Sequence, residues 1–153
     1  MSDSDLVKLY STRILALAAE IPHLGRLAAP DGSASKRSPL CGSTITVDVT
    51  VAQGRISGFA QDVKACALGQ ASAAILGRVV IGKTEQDLID AKGALATMLT
   101  DNGPAPTGDF ATYEVLRAAQ DYKNRHASIL LALEATCAAV AAAQGSIKKP
   151  PHV

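Results

Sequence analysis

The chain is expected to be α+β: an N-terminal helix, a small three-stranded antiparallel sheet, then four helices packed on one face of it. Three observations predict this. Apolar residues fall at helical spacing over 4–20, the period switches to strict alternation after Ser43, and helical spacing returns from about residue 67 onward.

The first helix rests on Leu6, Tyr10, Ile14 and Leu17, which share one face, with Ser4 as its N-cap and Pro22 marking its end. Residues 21–39 are rich in Gly, Pro and Ser and read as a long irregular crossing. Ile45, Val47, Val49 and Val51 then alternate with Thr44, Thr46, Asp48 and Thr50, as in a strand with one buried and one wet face. Ala52–Gln53–Gly54 reads as a turn, and Arg55 to Ala65 as a second strand and then a third, with Gly58 as a break or bulge. Residues 67–81 are apolar nearly all round, which predicts a helix buried on most sides and ended by Gly82. Thr84 caps the next helix, whose stripe is Leu88, Ala91, Leu95 and Met98. After the loop 101–108, a short helix from about Phe110 to Ala119 leads into a long one from about Tyr122 to Ala143, closed by Gly145. One domain over 1–145 and a loose, flexible tail over 146–153 follow.

Composition narrows the function. The chain has 153 residues, 48% of them hydrophobic, enough for one domain with a real core. A net charge of +1, no Trp and two Phe offer neither the basic field nor the stacking surface of a nucleic-acid binder. The first residues lack a signal-peptide pattern, and no run approaches the roughly 18 apolar residues of a membrane span. Three cysteines without an export signal point to reduced thiols and a cytoplasmic protein.

The chemistry centres on two of those cysteines. Cys66 falls at the start of the helix over 67–81, where unpaired N–H groups favour negative charge on a ligand or nucleophile. Cys41 falls at a loop-to-strand junction beside Gly42. A folded meander brings the two toward one end of the sheet, but two buried structural thiols would look the same. Side-chain direction on short strands leaves open whether Asp48, Asp62 or Lys64 joins them.

Read together, Pro39–Leu40–Cys41–Gly42–Ser43 and Ala65–Cys66–Ala67–Leu68–Gly69–Gln70–Ala71–Ser72 resemble the P-x-C-G-D and G-C-A-x-x-x-A-S elements of the iron–sulfur cluster scaffold family that includes IscU, SufU and the N-terminal domain of NifU. Tyr10–Ser11 resembles that family's Y-S pair, and Ile21–Pro22–His23–Leu24–Gly25 its N-P-x-x-x-G stretch. Arg125–His126–Ala127–Ser128–Ile129–Leu130–Leu131 falls in register with L-H-C-S-x-L-A. The resemblance spans most of residues 8–135 and implies the α+β order reached above. It implies Cys41, Cys66 and His126 as ligands of iron, zinc or a [2Fe–2S] cluster, a non-enzymatic role, and a cysteine desulfurase and recipient apo-proteins as partners. The site would be open and completed by water, a small thiol or a second subunit.

The chain departs from the family at telling places. Ser43 stands where the family has aspartate, and Ala127 where it has the third cysteine. Gln120–Asp121–Tyr122–Lys123–Asn124 replaces the chaperone-binding L-P-P-V-K of the IscU branch, and the SufU spacer is missing. These departures motivate an alternative, a non-catalytic interaction or regulatory module that binds a desulfurase or another partner without a cluster. A thiol enzyme with Cys66 as nucleophile and His126 as base is disfavoured, because nothing supplies an orienting acid. Cys137 lies about 16 Å along the helix from His126 at 1.5 Å per residue, too far to share one ion. It reads as a small buried apolar residue. His126 itself lies on an apolar stripe, where a structural histidine is the bland expectation; His23 and His152 are given no role.

Overall fold

The computed structural model describes residues 10–39 and 42–148, with side chains through 145. Helix α1 (Thr12–Ala19) is followed by β1 (Gly32–Arg37), β2 (Thr44–Ala52) and β3 (Arg55–Lys64). Then come α2 (Ala67–Val79), α3 (Glu85–Asp101), a 3-10 segment (Gly108–Ala119) and α4 (Lys123–Lys148). The strands form one antiparallel sheet in the order β1-β2-β3. Among the described residues, five helical segments lie around a three-stranded sheet, so the expected α+β architecture is present.

The strands are not all where the sequence places them. Arg55–Lys64 is one continuous strand, paired with β2 from Thr44↔Lys64 to Ala52↔Arg55. Gly58 lies at an irregularity, where the register slips between Thr50 and Val51, but the strand runs on through it. The third strand comes from the segment read as an irregular crossing, Gly-Ser-Ala-Ser-Lys-Arg over Gly32–Arg37. Its alternation is hidden because its inward positions are Gly32 and Ala34. A Cβ on Gly32 would lie 2.3 Å from the Ala139 carbonyl oxygen and 2.5 Å from the Ala143 nitrogen, so only glycine lets α4 lie directly on β1.

The rest of the crossing is also fixed. Leu24 makes a parallel bridge to Gln61, with Gln61 N donating to His23 O and Gly25 N to Gln61 O, both at 2.9 Å. The Gln61 side-chain amide is buried and donates to the carbonyls of Pro22 and Ala73, tying this edge to α2. On the sheet face opposite α4, the carboxylate of Asp48 is fully buried by the crossing. It accepts from Arg26 Nε (2.7 Å) and Nη2 (3.0 Å), Leu27 N (3.0 Å) and Ser33 Oγ (2.6 Å). The Arg26 hydrogen bonds, aided by Ser33 and Leu27, hold the Asp48 carboxyl down at about 2 against desolvation.

Ile45, Val47 and Val49 point into the core with Leu68, Ile75, Leu76, Leu95, Met98, Leu116 and Leu133. α2 is buried along most of its length, as its composition predicts. Thr84 caps α3 in a reciprocal capping box with Asp87, and Leu88, Ala91, Leu95 and Met98 are buried. Gln53 and Gly54 turn the β2–β3 hairpin with positive φ of 55° and 77°. Among the described residues the first helix begins at Thr12, capped by Ser11, and does not continue back through Tyr10. The expected Ser4 cap and Leu6 lie outside the described residues. Gly145 does not stop α4, which runs to Lys148; residues 149–153 lie outside the described residues. Lys123–Gly145 is long and apolar enough to cross a membrane, but more than half of its most apolar 18-residue stretch is buried inside the protein, as in a core helix.

Candidate functional site

The β1–β2 connection and the β3–α2 junction meet at one end of the sheet. Pairing of Thr44 with Lys64 sets the chain entering β2 beside the chain leaving β3. The base of the β1–β2 loop is closed by Ser38 N donating to Ser43 O (2.8 Å) and Gly42 N to Ser38 O (2.9 Å). Cys41 belongs to this loop by sequence and lies outside the described residues.

Cys66 is the N-cap residue of α2, as its sequence position predicts, with φ −68° and ψ 170°. Its carbonyl receives the Gln70 N–H at 2.9 Å and starts the helix, while its side chain makes no capping bond. The first turn of α2 carries no acidic residue, so the positive end of the helix is left to favour an anion there. The half-buried Cys66 sulfur lies 3.3 Å from Ser128 Oγ on α4. Ser128 Oγ lies 3.1 Å from Ser43 Oγ. Ser43 and Ser128 are 3% and 0% exposed. A Ser43–Ser128–Cys66 chain thus crosses from the strand start, through the long helix, to the thiol.

Gly69 makes this crossing sterically feasible. A Cβ there would lie 2.7 Å from Ser128 Oγ and 3.2 Å from Ser128 O. One turn on, Ser72 Oγ donates to Ile129 O at 2.6 Å and locks α2 against α4 in the same register.

His126 is 9% exposed, and its Nε2 lies 3.1 Å from Ala119 O and 3.0 Å from Gln120 O. Carbonyls only accept, so the ring hydrogen belongs on Nε2 and the neutral imidazole keeps its lone pair on Nδ1. A backbone carbonyl behind one ring nitrogen is also how histidine ligands are oriented through the other. The same contact equally satisfies a buried core histidine. Ala127, between His126 and Ser128, is half-buried.

The structure brings Cys66 together with Ser43 and Ser128. It shows no direct contact between His126 and Cys66, and among the described residues no group of three or more His, Cys, Asp or Glu side chains converges. Asp48 lies opposite Ala60 in mid-sheet and is consumed by Arg26, Ser33 and Leu27, so it is structural. Asp62 and Lys64 are exposed at the cysteine end of β3. Cys137 is half-buried, packs against the core, and its thiol is pushed up by burial. Its Coulombic neighbours are Lys92, Glu85 and Glu134, none of them part of the Cys66 cluster. His23 has φ 60° and meets Phe59 edge-on, and its carbonyl serves the β3 edge. His152 lies outside the described residues. Sequence reasoning missed Ser128: it follows His126 and Ala127 in register, but nothing in its spacing marks it as the residue linking two segments far apart in the chain.

Comparison with known proteins places this geometry in context. The family described as "NifU-like N terminal domain" matches residues 9–129. The chain is 42% identical to a nitrogen-fixing NifU-like protein (N-terminal) from Brucella abortus, over 92% of this chain and 98% of that one, with a TM-score of 0.89. A putative iron–sulfur cluster assembly scaffold protein for the SUF system from Fervidobacterium islandicum AW-1 is 18% identical over 88% of this chain and 98% of its own, with a TM-score of 0.79, a likeness of fold. A search of curated proteins gave no match.

Proposed function

The chain belongs to the NifU-like N-terminal domain family, and on that premise we propose that it is an iron–sulfur cluster assembly scaffold. It would hold iron and sulfide, or a [2Fe–2S] unit, as transient cargo and pass it on. The observation that carries this reading is Cys66 at the N-terminus of α2, half-buried and beside the base of the loop that contains Cys41.

The donor set fits such cargo. Cys66 and Cys41 supply thiolates, the ligands iron–sulfur units prefer, and His126 offers Nδ1 because its Nε2 is committed to backbone carbonyls. Zinc would suit the same donors at rest. Ser43 and Ala127 stand at the family's aspartate and third-cysteine positions, so this chain supplies fewer anionic ligands and the cargo's remaining positions fall to water, a small thiol or a second subunit. Cargo held by fewer protein bonds leaves more readily, which suits transfer. A cysteine desulfurase as sulfur donor and apo-proteins as recipients are the corresponding partners. The proposed role needs no nucleic acid, membrane or catalytic turnover, and the cytoplasm is its proposed place.

Anaerobic reconstitution with ferrous iron and sulfide, followed by absorption and iron and sulfide analysis, tests the reading. Wild type should acquire a coloured, iron- and sulfide-containing centre that Cys41→Ala and Cys66→Ala lose and His126→Ala weakens. A wild type that stays colourless and metal-free overturns it. Undiminished desulfurase binding by such a colourless protein, and by its double cysteine variant, would support the alternative, an interaction module without a cluster.

A further inference from the structure

We propose that Ser128 is a positioning residue for the Cys66 sulfur, with its own hydroxyl oriented by Ser43. The inference deepens the scaffold reading and rests on it for its purpose, though its geometry stands apart from any bound metal.

A serine on a helix ordinarily returns its hydroxyl to the carbonyl four residues back. Thr136 on the same helix does so, donating to Ala132 O at 2.8 Å. The side-chain partners of Ser128 instead belong to two other segments: Cys66 Sγ at 3.3 Å on the β3–α2 junction, and Ser43 Oγ at 3.1 Å at the start of β2. With Ser128 at 0% and Ser43 at 3% exposure, water does not compete for these hydroxyls. Gly69 leaves the Ser128 oxygen its room and no more, since a Cβ there would lie 2.7 Å away.

Hydrogen counting sets the direction of the chain. A thiolate or metal-bound sulfur only accepts. In that state the single Ser128 hydrogen points to Cys66, and the Ser128 oxygen is filled by the hydrogen of Ser43. When Cys66 keeps its own hydrogen, the two serines can run the opposite way. Ser43 therefore does more than mark a lost carboxylate. A carboxylate, being an acceptor, would draw the Ser128 hydrogen away from the sulfur, whereas a hydroxyl can return one. Hydrogen bonds to ligating sulfurs also tune the potential of the centre they hold. The pair accordingly fixes the direction of the Cys66 sulfur and supplies it with one oriented donor.

The test uses the full chain, metal-free and reduced, with iodoacetamide at one fixed pH and the rate at each cysteine read by mass spectrometry. Loss of one hydrogen bond to sulfur should slow Cys66 by about two- to ten-fold in Ser128→Ala. Ser128→Thr should restore the rate, and Ser43→Ala should slow it by a smaller factor in the same direction. The Cys137 rate should stay at its wild-type value in every variant. An unchanged Cys66 rate in Ser128→Ala overturns the proposal, as does a change at Cys66 matched by one at Cys137, which would mean loosened packing. If Ser128→Ala fails to fold, Ser43→Ala decides: slowed Cys66 with unchanged Cys137 supports the proposal, and an unchanged Cys66 rejects it. A wild type that takes up no cluster while showing this alkylation pattern would sink the scaffold reading and leave the positioning role standing.

Discussion

Asp48→Asn should destabilise the fold by about 2 kcal/mol at neutral pH, and the deficit should shrink in acid. The carboxylate is an acceptor surrounded only by donors: two from Arg26, one from Leu27 and one from Ser33. An asparagine of the same shape turns an amide NH2 toward one of them and removes the charge opposite Arg26. The Asp48 carboxyl is lowered from 3.8 to about 2 in the folded protein, and that difference sets the magnitude at about 2 kcal/mol, at 1.36 kcal/mol per unit. Because the folded value lies below the unfolded one, the stabilisation is fully present above pH 4 and is lost as pH falls through about 2. Roughly half of it should be gone at pH 3. Urea unfolding of wild type and variant at pH 7 and pH 3 measures both gaps, and added salt should narrow the gap at pH 7 because Arg26 is 58% exposed. Equal gaps at the two pH values would refute the assignment of this stability to the ionised carboxylate.

Three further outcomes follow from packing and capping. Gly32→Ala places a methyl against the α4 backbone and should cost about 1–3 kcal/mol, lowering Tm by several degrees; an unchanged Tm would mean that α4 is free to withdraw from β1. Thr84→Ala removes one arm of the capping box and should cost about 1 kcal/mol in urea unfolding without altering cluster uptake. Cys137→Ser should take up as much iron and sulfide as wild type, and a loss there would place Cys137 in the site.

Much of the fold is legible because local signals and tertiary environment agree. The alternation of Ile45, Val47 and Val49 matches their burial, and Thr84 announces the start of α3. β1 is illegible for a physical reason: its identity rests on backbone pairing and on the smallness of Gly32, and Ser33, Ser35, Lys36 and Arg37 are exposed on a sheet edge. The 21–31 crossing reads as loose because its order comes from Asp48 and Gln61, partners far along the chain. At the site, Cys66 is legible as a helix N-cap, whereas Ser128 is not, because its role is set by the contact of α4 with α2 and β2. His126 is legible as a residue on an apolar stripe, but the carbonyls that orient its ring come from the end of the 3-10 segment and the turn after it.

Cluster transfer tests the scaffold assignment most directly. Protein loaded with iron and sulfide is mixed anaerobically with an apo-protein that accepts a [2Fe–2S] unit, and circular dichroism follows where the chromophore goes. The account predicts that the signal of the loaded chain decays as that of the recipient grows, and that Cys66→Ala delivers no more than free iron and sulfide do. A centre that forms but stays on this chain in the presence of excess recipient, or delivery undiminished in Cys66→Ala, would contradict it.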